Sequence, residues 1–179
     1  MLVNLFQKSD SEYLVIFESD ALIPSVENFV KSVQFAEKEL LIFQQFGEMS
    51  KLIDRKNVLP RLWVRLSTGF NIETLHIDQY LFAKKVENGL TMNFFSKPTT
   101  NTSCSYMMNR RMANSILQIF SKRYIAFSMP PIDFLYNQAL RKISRTKEVM
   151  CMDFDVPPVI HGSMAGKYTS WQNERESRF

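Results

Sequence analysis

Two carboxylates separated by one residue follow an apolar run near the start of the chain. In "YLVIFESDAL", Glu18 and Asp20 come directly after five apolar or aromatic residues. Side chains at i and i+2 of an extended chain project to the same side, so both carboxylates could face one ligand. Paired carboxylate oxygens suit Mg²⁺ or Mn²⁺. The spacing leaves a plainer interpretation open, in which the acids only cap the next helix or mark where the strand meets solvent.

Three more residues could take part in chemistry. His161, in "PPVIHGSMAGKYTSW", is a candidate metal ligand or general base, or an ordinary surface histidine. The glycines around it, with Lys167, would let backbone amides and an ammonium group approach a phosphate. Asp133 follows Pro130-Pro131. It is either a functional acid or a first-turn acid that the helix dipole favours.

Composition predicts one ordered α/β domain. The chain has 179 residues and is 45% hydrophobic, which is enough for a single sizeable core. Its two cysteines, Cys104 and Cys151, form neither a disulfide framework nor a zinc motif, so we expect a reducing, cytoplasmic setting. No apolar run approaches the roughly 20 residues that span a bilayer.

The charge is divided unevenly along the chain. Residues 1–90 hold 10 Lys/Arg and 12 Asp/Glu, whereas residues 91–179 hold 12 and 6. The basic half suggests an anionic ligand such as a phosphate, although solvated helix faces explain scattered charges equally well. No pattern of alternating basic and aromatic residues marks a nucleic-acid surface, and we expect no nucleic-acid partner.

Alternating strand and helix signals position these residues. Tyr13–Phe17 is predicted to be a central strand buried on both faces, followed by a helix that Ser25 caps and that ends near Gly47. Further strands are expected at 62–66, 103–108 and in "VMCMDFD", with helices after Asn109 and after Pro131, and Asn88-Gly89 predicts a hairpin. We therefore expect a mostly parallel sheet with an antiparallel hairpin at one edge.

The ordered segments "YLVIFESDALI", "LWVRLSTG", "TNTSCSYMMNRRMANSIL", "MPPIDFLYNQAL" and "VPPVIHGS" together resemble glycosyltransferase family 25, the lipopolysaccharide-biosynthesis glycosyltransferases. The family has an acidic motif after an apolar strand, a Thr…Ala-Tyr strand that runs into an Arg-Ala helix, and a Pro-x-Asp helix start. The matching positions here are Glu18-Ser19-Asp20, Thr102 and Tyr106 with Arg111 and Ala113, and Pro131 with Asp133.

The resemblance implies a fold and an activity. It predicts a partial GT-A-like, Rossmann-like mixed sheet flanked by helices over residues 1–165, followed by a polar tail at 166–179. It implies inverting transfer of a hexose, galactose or glucose, from a UDP-sugar to a lipopolysaccharide or other surface-glycan acceptor.

The resemblance also implies roles for individual residues. Glu18, Asp20 and His161 would hold Mn²⁺ or Mg²⁺ on the donor diphosphate. Ser163 would close the site beside Lys167, and Asp133 would act on the acceptor side as the base.

The resemblance leaves one alternative function. Family members carry an N-terminal nucleotide-binding segment before the acidic motif, and their central motif acid is Ser19 here. We therefore also consider a non-catalytic, shortened relative that serves as a binding or assembly module, with a partner chain supplying the missing strand. A lipid-linked acceptor would place the protein peripherally at the inner membrane.

Overall fold

A computed structural model describes residues 8–49, 60–67, 78–96, 104–121, 132–145, 149–163 and 165–167. In these ranges the chain forms one mixed α/β domain. The strands are β1 (Tyr13–Phe17), β2 (Ala21–Leu22), β3 (Arg61–Arg65), β4 (Leu81–Glu87), β5 (Leu90–Phe95), β6 (Ser105–Asn109), β7 (Val149–Phe154) and β8 (Ile160–His161). The α-helices are α1 (Val26–Met49), α2 (Arg110–Ser121) and α3 (Ile132–Ser144), and a 3-10 helix covers Asp78–Tyr80.

Six strands form a mixed sheet in the order β1-β6-β3-β7-β5-β4. Strands β3 and β7 pair in parallel, whereas the other four pairings in the sheet are antiparallel. The mixed sheet is confirmed, and the expected predominance of parallel strands is wrong. The physical reason is that β6 returns between β1 and β3, while the β4–β5 hairpin adds two further antiparallel pairings.

Strand β1 lies at one edge of this sheet, so the prediction of a central strand is wrong. Its apolar run has a different cause. Tyr13 and Val15 pack into the core cluster on the side of α1, whereas Leu14 and Ile16 pack into the cluster on the side of α2 and α3. Because helices cover both faces of the sheet at β1, successive residues of the strand must be apolar, even though the strand lies at the edge of the sheet.

The helices cover the two faces of the sheet. Phe35, Ala36 and Leu40 of α1 pack against one face. On the opposite face, α2 and α3 pack over the Trp63 and Tyr106 rings, whose centroids lie 4.8 Å apart in a stacked arrangement. The protein is thus a three-layer α/β/α arrangement. No helix within the described ranges is long and apolar enough to cross a membrane.

Local sequence signals set the ends of several elements. Ser25 caps α1, because its Oγ accepts a hydrogen bond from the Asn28 amide at 3.2 Å. Asn109 caps α2 in the same way, by accepting from the Met112 amide at 3.0 Å. Asn88 and Gly89 have φ angles of 51° and 78°, the positive values that a tight hairpin turn between β4 and β5 requires. All three predictions are confirmed.

Candidate metal-binding site

The carboxyl ends of β1, β3 and β7 meet at one edge of the sheet. Both β1 and β3 run antiparallel to β6, and β7 runs parallel to β3, so these three strands share one direction. Glu18 follows β1 directly, and its amide donates to the Cys104 carbonyl at 2.8 Å. The acid pair therefore lies at the carboxyl ends of these strands, where α/β sheets commonly bind ligands.

A second, two-stranded sheet brings the C-terminal part of the chain to the acid pair. Strand β2 pairs antiparallel with β8, which places Ala21 opposite His161. The Gly162 amide also donates to the Asp20 carbonyl at 2.8 Å. These contacts hold His161 beside Asp20 and Ala21, which lie near the start of the chain.

Glu18, Asp20 and His161 form one cluster. Each offers one ligand atom, and these three atoms lie within 4.8 Å of one another. His161 Nδ1 is 3.1 Å from Asp20 Oδ2, and their side chains are 17% and 23% exposed. The structure therefore brings together all three residues that the sequence singles out as metal ligands.

Ser163 connects the aspartate to the histidine. Asp20 Oδ2 accepts from Ser163 Oγ at 2.7 Å and from the Ser163 amide at 3.3 Å, and Ser163 Oγ lies 2.8 Å from His161 Nδ1. If the Ser163 hydroxyl donates to Asp20, its oxygen can accept a proton that His161 carries on Nδ1. Ser163 thus contacts both the aspartate and the histidine and orients their side chains.

The same contacts keep Asp20 ionised. Burial alone would raise the pKa of Asp20, but the Ser163 hydroxyl, His161 and the Ser163 amide outweigh it and hold that pKa below its usual value. An ionised carboxylate is the form that binds a divalent cation. Asp20 therefore has the charge that binding of a divalent cation needs.

A compact turn follows β8 and contains the two predicted phosphate-side residues, Ser163 and Lys167. The Ala165 amide donates to the His161 carbonyl at 3.0 Å, and the Lys167 amide donates to the Gly162 carbonyl at 2.9 Å. Gly166 has a φ of 67°, which this turn requires. Lys167 is exposed, and its backbone is held to Gly162 in this turn.

Cys104 lies next to the acids, and sequence reasoning missed it. Its buried thiol donates to Ser67 Oγ at 3.2 Å. Burial raises the pKa of Cys104, and the Asp20 and Glu18 carboxylates raise it further. The thiol is therefore protonated at neutral pH, which argues against a thiolate ligand. The only signal in the sequence was its position just before a strand.

Asp133 lies in the first turn of α3, as the Pro-x-Asp pattern predicted. Leu140 and Ile143 of α3 belong to the core cluster against which Val149 of β7 packs. The side chain of Asp133 lies outside the part of the chain that the structure describes. Of the other matched positions, Tyr106 is buried in the core, and Thr102 and Pro131 lie outside the described residues.

Comparison with known proteins gives no relative from which a family could be assigned. No protein-family model matches the chain, and neither a curated protein nor a solved structure matches it.

Proposed function

We propose that this protein is a metal-dependent glycosyltransferase of the nucleotide-sugar class. It would transfer a hexose, galactose or glucose, from a UDP-sugar to a lipopolysaccharide or other surface-glycan acceptor with inversion. One observation carries the proposal: Glu18, Asp20 and His161 converge at the carboxyl edge of β1. The ordered motifs that resemble glycosyltransferase family 25 support it.

The three side chains fit a divalent cation. Two carboxylates and one imidazole are a donor set that accepts Mn²⁺, and also Mg²⁺ through the oxygens. Ligand atoms about 2.1 Å from one ion lie no more than about 4.2 Å apart. The three candidate ligand atoms already lie within 4.8 Å of one another, close enough for side-chain rotations to bring them onto one ion.

Each residue of the candidate site would have a separate role in the transfer reaction. Glu18, Asp20 and His161 would hold the ion, which when bound neutralises charge on the departing nucleotide diphosphate. Ser163 keeps Asp20 oriented, and Lys167 offers a further positive charge to the phosphates. Asp133 would take the proton of the attacking acceptor hydroxyl, as inverting transfer requires a base opposite the leaving group.

The fold supports this proposal in its general form. Donor nucleotides bind α/β sheets outside the carboxyl ends of the strands, and here that edge carries the acid pair. A partial GT-A-like arrangement is accordingly part of the proposal, with the protein acting peripherally at a membrane that bears its lipid-linked acceptor.

Calorimetric titration of the purified chain with Mn²⁺, followed by UDP-galactose or UDP-glucose, tests the proposal. We expect wild-type protein to bind Mn²⁺ and then to bind or hydrolyse a donor, whereas Glu18→Gln and Asp20→Asn weaken Mn²⁺ binding by about tenfold or more. The control is Glu27→Gln, which removes an acid from an exposed i,i+4 pair on α1.

Two outcomes would overturn catalysis. Absence of Mn²⁺ binding by wild-type protein would remove the metal site itself. Normal Mn²⁺ and donor binding, with no donor hydrolysis and no transfer to any acceptor, would instead establish the non-catalytic binding module.

A further inference from the structure

The outer edge of β1 carries unpaired backbone groups. The Glu18 amide donates to Cys104 and the Arg110 amide donates to Glu12, each at 2.8 Å. Since antiparallel pairing alternates along a strand, residues at even positions from 12 to 18 bond to β6. The N–H and C=O groups of Tyr13, Val15 and Phe17 therefore point away from β6, and none of the described residues bonds to them.

Within the described ranges, this edge lacks the features that normally protect an edge strand. All five residues of β1 are apolar or aromatic, and its register with β6 is continuous. The opposite edge of the sheet, β4, carries Lys84 and Lys85 and has a register shift between Leu81 and Ala83. Charges and irregularities of that kind prevent edge-to-edge pairing. Among the described residues, one edge of the sheet is thus protected and the other is open.

Exposed apolar side chains flank the open edge on the α1 side. Phe17, at the end of β1, is 42% exposed and packs on Phe29 with ring centroids 5.7 Å apart. Val26 and Val30, one helical turn apart and next to Phe29, are 69% and 43% exposed. A strand added beside β1 could cover these side chains with its own apolar residues.

Acidic residues border both ends of the open edge. Asp10 and Glu12 precede β1, and Glu18 and Asp20 follow it. The first pair lies near the Arg110 guanidinium, which donates to the Ser9 and Ser11 carbonyls. A second copy paired antiparallel about Val15 would place Glu12 opposite Glu18, because the two positions are equally distant from residue 15. Directly opposed like charges destabilise a strand pair. The charge distribution therefore disfavours a second copy and favours a strand with basic ends.

We propose that the outer edge of β1 is a docking site for a β-strand of another polypeptide. The docking strand has an apolar core of about five residues to match β1, and Lys or Arg at both ends. It joins the sheet through the backbone groups of Tyr13, Val15 and Phe17. Its side chains cover Phe17 and the exposed side chains of Val26 and Val30. The interaction does not require the metal ion, since Asp10 and Glu12 lie outside the metal cluster.

Fluorescence anisotropy with two synthetic peptides tests this docking site on the full chain without added metal. Both peptides share a core of alternating Val and Thr, and one has two Lys residues at each end where the other has two Glu residues. We expect the Lys-flanked peptide to bind at least about tenfold more tightly. Hydrogen exchange should slow at the amides of Tyr13, Val15 and Phe17 when it binds and stay unchanged at Leu14 and Ile16.

Two variants distinguish docking at the β1 edge from non-specific peptide binding. Val15→Pro removes an outward N–H that β6 does not use, so the fold should survive while peptide affinity falls about tenfold or more. Glu12→Lys, at an exposed position, should lower the affinity for the Lys-flanked peptide and raise the affinity for the Glu-flanked one. Glu87→Lys, at the opposite edge, is the matched charge control and should leave both affinities unchanged.

Three outcomes would overturn the proposal. The first is failure of both peptides to bind. The second is equal affinity of wild-type protein and Glu12→Lys for the Lys-flanked peptide, a result that does not depend on how well Val15→Pro folds. The third is a dimer of the chain in sedimentation that dissociates in Val15→Pro, which would make a second copy the occupant.

Discussion

Arg65 on β3 and Asp153 on β7 form an ion pair across the parallel pair of strands, with each side chain 1% exposed. Asn93 of β5 donates to Asp153 Oδ1 at 3.0 Å and to Asp155 Oδ1 at 2.7 Å. Arg65 Nε and Nη1 are buried and find no hydrogen-bond partner among the described residues. Three neighbouring strands are therefore joined by polar contacts inside the sheet, and the stability of each charge depends on its partner.

Removing one partner of this ion pair should destabilise the protein strongly. Arg65→Met or Asp153→Leu leaves an uncompensated buried charge, and we expect a loss of about 3–5 kcal/mol in the free energy of unfolding. Urea denaturation measures it. The double variant Arg65→Met/Asp153→Leu should be more stable than either single variant, because apolar residues replace both charges. Additive losses in the double variant would contradict the dependence of each charge on the other.

Asn109 should contribute more stability than an ordinary helix cap. Its Oδ1 accepts from the Leu62 amide at 3.1 Å as well as from Met112, and its Nδ2 donates to the Pro60 carbonyl at 2.8 Å. Asn109→Ala leaves these buried groups unpaired, and we expect a loss of more than about 2 kcal/mol. Ser25→Ala, at the α1 cap, should lose only about 1 kcal/mol. Similar losses in urea denaturation would show that the β3 contacts of Asn109 add nothing.

The ends of elements could be predicted from sequence because short-range chemistry sets them. Ser25 and Asn109 cap helices by accepting from amides three residues further along. Asn88 and Gly89 form the hairpin turn because both adopt positive φ angles. Each signal is contained within a few residues. Helix caps and the hairpin were accordingly identified without knowledge of the tertiary structure.

Strand order and direction could not be predicted, because pairing joins residues far apart in the chain. The apolar run of β1 indicated that both faces are covered, and it contained nothing to show that β6 is its one neighbour among the described strands. Glu18 and Asp20 do lie together, but Ser19 and Asp20 form a turn, not the extended backbone on which the i, i+2 prediction rests. His161 joins them through β2 and β8, strands of only two residues each, which leave no periodic signal.

Alkaline pH should destabilise the protein in part through Tyr13. Burial, followed by the nearby Glu37 and Glu12 carboxylates, raises the pKa of Tyr13 to about 12. An unfolded tyrosine ionises near pH 10. Between these two values the unfolded chain releases a proton that the folded protein retains, so the free energy of unfolding falls as pH rises from about 10 to about 12.

Tyr13→Phe isolates this contribution. Denaturation at several pH values should show a shallower loss of stability above about pH 10 in the variant than in wild-type protein. Absorbance titration of the folded protein should show that Tyr13→Phe loses one tyrosine that ionises late, near pH 12. Parallel stability curves for the two proteins would mean that the Tyr13 hydroxyl ionises as freely as in the unfolded chain.

Ser163 should strengthen metal binding without being a ligand in the cluster. Its hydroxyl holds Asp20 Oδ2 at 2.7 Å and lies 2.8 Å from His161 Nδ1, so it orients two of the three proposed ligands. Loss of such an orienting contact weakens metal affinity by about 10–100-fold. We expect Ser163→Ala to lower Mn²⁺ affinity by that amount in calorimetric titration, while Ser163→Thr, which keeps the hydroxyl, largely restores it. The matched control is Ser144→Ala at the end of α3, whose hydroxyl donates to the Arg141 carbonyl of its own helix. If Ser163→Ala bound Mn²⁺ as tightly as wild-type protein and Ser144→Ala, the hydrogen bonds of Ser163 would serve the fold of the turn alone.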